Sequence, residues 1–517
     1  MKKNLFIISL AAFGMSTLAA CTKSDFSSNF NDPEKTEVAS TEGLFKGLFA
    51  NDRIKPAYWN IFTFLRPQSA VYTQTIGYTN SLNVYTQNTA YGQDRWSDYY
   101  TNTLARYRAM EANYAKYTSP SDIRGYNIFM QVGKVVLYDQ TQQMVDLWGD
   151  IPFKEAGRVA QTSNPSGPAY DDAKDVYTTM LTDLKAAADF LAVANTTDSF
   201  VLHKQILSKN DPMYNGDLAK WRKYANSLRM RIAMRISYQN ETLAKQTIEE
   251  ILGNPTKYPV MEANTDNAQL TYINGNDIRD GMRDGMGGVA GPSYMIDTVM
   301  KPAADPRLRF FFSRTVRGEF KGSAPNWNSA QQEDSLAKGR VSIIDSTTFT
   351  QNNNFPGVLM TAAEVSFIKA EAFERWGGGT AKTAYENGVK QSIEFYSSIN
   401  QKSSYASNPK KAATADEITA TLASANVAYG TNKEDNLRKI ATQKWIDFNW
   451  MGSVHGWAEM RRTKYPTLTF TRVNSPSAPT PGTRLLYPPK ERLYNAVNFE
   501  KVAAKDVMYG KIFWDVK

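Results

Sequence analysis

YNGDLAKWRKYANSLRMRIAMRI, residues Tyr214–Ile236, is the stretch on which the fold turns. Asn215-Gly216 is a turn pair, and the carboxylate of Asp217 can accept from the first free N–H groups of a following helix. Leu218, Trp221, Ala225, Leu228, Ile232 and Ile236 recur at spacings of three and four, which places them on one helical stripe. Off that stripe lie Lys220, Arg222, Lys223, Arg229, Arg231 and Arg235, with no acid after Asp217. Two readings stand at this point. The arginines grip phosphate, or the helix is a core element whose charges are solvated or paired with neighbours.

Working outward, the composition narrows the choice. The chain has 517 residues, 42% of them hydrophobic, and a formal net charge of +9, of which Lys2 and Lys3 supply two. Over that length the basic excess is mild, so nucleic acid is not an expected partner. There are two histidines, His203 and His455, and one cysteine, Cys21, which excludes an intrachain disulfide and any multi-cysteine metal site. Met1–Asn4 is a basic n-region and Leu5–Met15 an apolar one, too short to span a bilayer. Leu18-Ala19-Ala20-Cys21 then resembles a bacterial lipobox. The expected organisation is a signal peptide over 1–20, a lipidated Cys21 with a polar tether to residue 41, and one folded body over 42–517. Acyl chains would anchor such a protein to a membrane without spanning it.

Within the body, helices are expected at Trp96–Tyr117, Ser121–Trp148, from Tyr170-Asp171-Asp172 to about Leu191, at Glu241–Leu252, Thr361–Trp376, Ala381–Ile399 and Asn436–Trp450. Residues 254–356 are rich in Gly, Asn and Asp, and read as a loop-rich insertion with short β-like runs at Leu308–Val316 and Val341–Ile344. The fold class is therefore mainly α. Helical hairpins stack like tetratricopeptide units around an embedded irregular region.

No enzyme signature emerges. Neither histidine lies near a nucleophile elbow, and Cys–His catalysis is excluded. A carboxylate pair of the glycosidase kind stays open, because its members may be far apart in sequence. Asn274–Asp284 offers oxygen ligands for a structural calcium, without the EF-hand register. The compositional outlier is Tyr58–Tyr100, with 11 aromatics in 43 residues and only four charges. Flat rings beside side-chain amides suit sugars, whose C–H faces stack while their hydroxyls pair; the same mix suits a protein interface. Tyr78, Tyr85, Tyr91 and Trp96 are the expected stacking residues, with Asn80, Asn83 and Gln87 for hydroxyls and Trp327 as a second aromatic candidate.

Several segments then fall into line: the lipobox, RWSDYYTNTLARYRAME (Arg95–Glu111), DLWGDIPF (Asp146–Phe153), AYDDAKDVYTTMLTDLKAA (Ala169–Ala187), Asp211–Ile236, ADPRL (Ala304–Leu308), MTAAEVSFIKAEAFERWG (Met360–Gly377) and YPPKERLYNAVNF (Tyr487–Phe499). Together they resemble the SusD/RagB family of Bacteroidetes surface lipoproteins. The resemblance implies a tetratricopeptide-like body and non-catalytic capture of glycans or other oligomeric nutrients. It also implies a partner, a SusC-like TonB-dependent transporter, and a lipid-anchored place on the outer membrane facing the exterior. The alternatives are a secreted glycoside hydrolase on a helical scaffold, or a peptide-binding or scaffold lipoprotein. In this setting Arg229, Arg231 and Arg235 are expected to pair with acids of neighbouring helices or to favour the helix C-terminus.

Overall fold

The computed structural model describes residues 39–77, 83–158, 167–272, 276–405 and 412–517. Cys21, the leader, and the candidates Tyr78 and Asn80 lie outside the described residues.

Asp211 builds the start of the opening helix. Its carboxylate accepts from the backbone N–H groups of Met213, Tyr214 and Gly216, and from the indole Nε1 of Trp221 at 2.7 Å. Asn215 and Gly216 take positive φ, and Asp217 accepts from the N–H groups of Ala219 and Lys220, so the helix runs Leu218–Arg235. Trp221 is fully buried among Phe45, Phe49, Tyr214 and Tyr224.

Around this helix the chain forms packed helical pairs. A continuous helix over 89–114 packs on Pro120–Trp148, which packs on Ala173–Thr196, which packs on Leu218–Arg235; Glu241–Leu252 follows. Ala362–Trp376 contacts both Ala381–Gln401 and Lys433–Phe448, and the latter packs on Ser453–Thr463. The expected helices are present, with Thr361 and Asp172 as side-chain N-caps. Only two strands are formed among the described residues, Ala268–Leu270 and Gly357–Met360, paired antiparallel. The first lies inside the insertion and the second begins where it ends. Of the two β-like runs, Leu308–Phe311 is one helical turn instead, and the runs meet only at an isolated bridge between Phe312 and Ile344. Residues 274 and 275 of the calcium candidate lie outside the described residues. Asn276–Met286 is a helix in which Asp280 and Asp284 are paired with Arg279 and Arg283.

Arg229, Arg231 and Arg235 of the opening helix are buried, and each meets an acid, whereas half-buried Arg222 donates to the carbonyls of Thr256 and Lys257. Arg229 donates to Glu250 at 2.9 Å. Arg231 reaches Asp139 at 2.7 Å and Glu364 at 2.7 and 2.6 Å, tying three helices together. Arg235 sits 3.3 Å from Asp146 and also bonds Glu459. Glu459 gathers Lys444 at 3.0 Å and Arg462 at 2.7 Å as well, and Arg462 continues to Glu371.

This network has a pH signature. Burial pushes the Glu459 carboxyl up, but Arg462, Lys444 and Arg235 outweigh burial and hold it well below the usual carboxylate range. A depressed folded-state value means its stabilisation is present above the unfolded value of about 4.3 and is lost as pH falls through the folded value. Asp447 has the opposite sign: burial raises it to about 6, so its contribution fades as pH rises through that value. Melting temperature should therefore fall on acidification below about pH 4.3, and Glu459→Gln should flatten that acid limb. An unchanged limb would remove Glu459 from the account.

The segments around 484–487 and 512–515 close the body over the end of helix 120–148. Trp148 donates to the Leu486 carbonyl at 3.0 Å, and the Leu485 N–H bonds the Leu147 carbonyl. Asp146 accepts from the Trp514 indole at 2.9 Å and from the Tyr177 hydroxyl. The DLWGDIPF motif is thus a latch between distant parts of the chain.

Candidate functional site

Residues 58–72 form one helix with an expanded centre, the π-helical stretch Ile61–Ser69. Pro67 has no N–H to give to the preceding turn, which opens the ladder there. The 89–114 helix beside it has a similar stretch at Tyr99–Leu104. Between them lies a cleft of about 290 Å³. Irregular helical turns of this kind are frequent at functional sites.

Trp59 stands at the edge of the cleft with 60% of its surface exposed. Tyr58 lies beside it, with ring centroids 5.7 Å apart, and stacks on Phe62 at 5.1 Å with an interplanar angle of 13°. The shelf is held from behind by helix 276–286. A Cβ at Gly281 would fall 2.7 Å from the Tyr58 nitrogen and one at Gly285 2.5 Å from Ile61, so only glycine permits this approach. Arg66 fixes the pair by donating to the Gly285 carbonyl.

The floor is made by two buried arginines. Arg95 lies over the Phe64 ring at 4.2 Å and donates to Asn60 at 3.0 Å and Gln143 at 2.9 Å. Arg53 pairs with Asp98 at 3.1 Å. Burial lowers Arg53 to about 10, with Asp98 opposing. Burial, and then Arg53, lowers Arg95 further. The rim carries Asp52, Asp94 and Thr63. Burial raises the Asp52 carboxyl and the Asp98 charge adds to the rise. The arrangement offers a large apolar ring face next to amide and carboxylate acceptors, the combination a sugar ring requires.

Three of the expected ligand residues belong instead to the scaffold. Tyr85 is 0% exposed, with its ring edge-on to Phe470. Trp96 is 4% exposed, boxed by Trp148, Tyr100 and Tyr487, and its indole donates to Glu491. Gln87 spends both ends of its amide on the backbone of Arg484 and Leu486. The physical reason is shared: these side chains fasten the closing segments to the body. Tyr91 is half-buried on the first turns of helix Thr89–Asp98. Asn83, at φ 57°, and half-buried Trp327 are brought together by the 474–477 segment. Asn474 donates to the Trp327 carbonyl and accepts from the Val84 N–H, while Asn83 accepts from the Ser477 N–H. No hydrogen bond or ring contact among the described residues joins that group to Trp59. The residues that sequence reasoning passed over are Tyr58, Trp59 and Asn60. Their signal was the i, i+4 pair Tyr58/Phe62 with a second aromatic alongside.

Residues 43–488 match a family described as SusD-like, "Starch-binding associating with outer membrane". A solved structure of a chitin-binding SusD homologue from Flavobacterium johnsoniae aligns with TM-score 0.71 at 22% identity, over 92% of this chain and 99% of its own. A Bacteroides thetaiotaomicron SusD homologue gives 0.70 at 24% identity, over 93% and 100%. One from Bacteroides fragilis gives 0.73 at 19%, over 93% and 100%. At these identities the likeness establishes the fold and nothing finer. No curated protein matches the chain.

Proposed function

The chain belongs to the SusD-like family, and from that membership we propose that it is a non-catalytic binder of glycan oligomers that hands them to a SusC-like TonB-dependent transporter. The family is associated with the outer membrane. No helix of the described residues is long and apolar enough to cross a membrane. Attachment through lipidated Cys21 completes this reading, and Cys21→Ala should move the protein from the membrane pellet to the soluble fraction. Continued pelleting of that variant would rule the anchor out.

The observation that carries the binding role is the exposed indole of Trp59 beside a polar-rimmed cleft. Tethering supplies a high local concentration at the transporter mouth, so modest affinity suffices and release stays fast. The chitin named for one homologue makes β-linked N-acetylated oligomers the first ligands to titrate. Trp59→Ala should weaken binding at least about tenfold, equivalent to about 1.4 kcal/mol, with melting temperature unchanged. Undiminished affinity would move the site elsewhere, for which the Asn83–Trp327 group is the next candidate.

One observation favours the hydrolase alternative enough to test it. Burial, and then the neighbouring Asp98 charge, raise the Asp52 carboxyl, as the environment of a general acid does. Overnight incubation with the bound oligomer should release no new reducing ends. Their appearance, and its loss in Asp52→Asn, would establish catalysis.

A further inference from the structure

The shelf that carries Trp59 rests on a part of the chain that does not line the cleft. Two glycines of helix 276–286 make the contact with residues 56–62. A Cβ on Gly281 would meet main chain only: the Tyr58 nitrogen at 2.7 Å, the Pro56 carbonyl oxygen at 3.2 Å and the Ala57 carbonyl carbon at 3.3 Å. One on Gly285 would fall 2.5 Å from Cγ2 and 3.1 Å from Cβ of Ile61, a β-branched side chain with little rotamer freedom. Neither neighbour can swing aside. Withdrawal of the helix is opposed as well, because its Ile278, Met282 and Met286 are fully buried and would leave the core. The side that can give is the cleft. Trp59 and Thr63, which line it, stand two positions either side of Ile61, about half a turn round the helix. Bulk added behind Tyr58 and Ile61 therefore drives this wall toward Arg95 and Asp98 opposite, across a gap that Asn60 spans by accepting from Arg95 at 3.0 Å.

We propose that Gly281 and Gly285 are specificity-determining residues that fix the width of the cleft, and with it the bulk of sugar substituent that fits beside the Trp59 indole. This rests on Trp59 marking the glycan site. The two glycines touch no ligand and act by positioning residues 58–63. A narrower cleft rejects by steric clash, so an acetamido arm is penalised before a hydroxyl is.

The test is titration of the full chain in detergent with two oligomers of equal length, β-linked N-acetylglucosamine and β-linked glucose. Gly285→Ala should weaken the acetylated oligomer about fivefold or more and the glucose oligomer by no more than about twofold, and Gly281→Ala should show the same selective loss. Removing the opposing methyl should reverse it: Gly285→Ala/Ile61→Ala should bind the acetylated oligomer within about twofold of Ile61→Ala alone. Arg283→Ala, on the exposed face of the same helix, should change neither affinity. If a glycine variant does not fold, Arg66→Gln carries the test without added bulk. It removes the bond to the Gly285 carbonyl and should change the ratio of the two affinities about twofold or more. Equal weakening of both oligomers, or no recovery in the double variant, would overturn the width argument as a general loss of structure. Parent-like binding by both glycine variants, with Trp59→Ala still impaired, would overturn it and leave glycan capture standing. Parent-like binding by Trp59→Ala, or a parent that binds neither oligomer, would sink the site reading and this inference together.

Discussion

Arg231→Met should destabilise the folded body by about 3–5 kcal/mol. The guanidinium is buried and makes bonds to Asp139, to both oxygens of Glu364 and to the Leu359 carbonyl. Methionine fills much of the volume but leaves two buried carboxylates without their cation. Burial would lower the arginine, yet Glu364 and then Asp139 outweigh it and raise its proton affinity, so the charge is present at every accessible pH. The three groups come from helices Pro120–Trp148, Leu218–Arg235 and Ala362–Trp376, so their loss loosens the junction between two helical pairs. Chemical denaturation should show the midpoint moving strongly, while Lys245→Ala on an exposed face moves it by no more than about 0.5 kcal/mol. A shift for Arg231→Met as small as that control would mean the acids are neutral when buried and the network contributes little.

The second large effect is expected at Trp221. Truncation to alanine removes a fully buried ring that touches Phe45, Phe49, Tyr214 and Tyr224, and it strips Asp211 of its indole donor. Core tryptophan deletions cost about 3–5 kcal/mol, and the carboxylate that shapes the turn before the helix is left short of a partner. Trp221→Phe separates the two contributions, because it keeps most of the packing and loses only the hydrogen bond. It should lie within about 1–3 kcal/mol of the parent in the same denaturation experiment. If both variants fall equally far, the hydrogen bond to Asp211 dominates and the packing argument is wrong.

Much of this architecture was legible in the sequence because local chemistry and tertiary role agree. Asp217 caps where its side chain predicts, and the stripe from Leu218 to Ile232 is buried. The arginines could be assigned to pairing, but their partners are 21 to 224 positions away, which periodicity does not encode. Helix 276–286 was hidden for a related reason. Its glycines read as loop, yet Gly281 and Gly285 serve close packing against Tyr58 and Ile61. The site was legible only as a neighbourhood. Aromatic enrichment over Tyr58–Tyr100 marked the right stretch, but composition does not separate a ring facing a cleft, such as Trp59, from one boxed in by Trp148 and Tyr487, such as Trp96.

The latch at DLWGDIPF has a consequence for the order in which the chain becomes a structure. Asp146 receives its indole bond from a residue 368 positions later, and Lys464 holds the neighbouring Asp515. Synthesis delivers Asp146 long before it delivers Trp514. Until then the acid at the end of helix 120–148 stays without that donor, and the helical pairs lack the cover that Leu485, Leu486 and Trp514 supply. Closure is a late event dominated by non-local contacts, which are slow to form. A chain built this way completes the latch only once Trp514 has been synthesised.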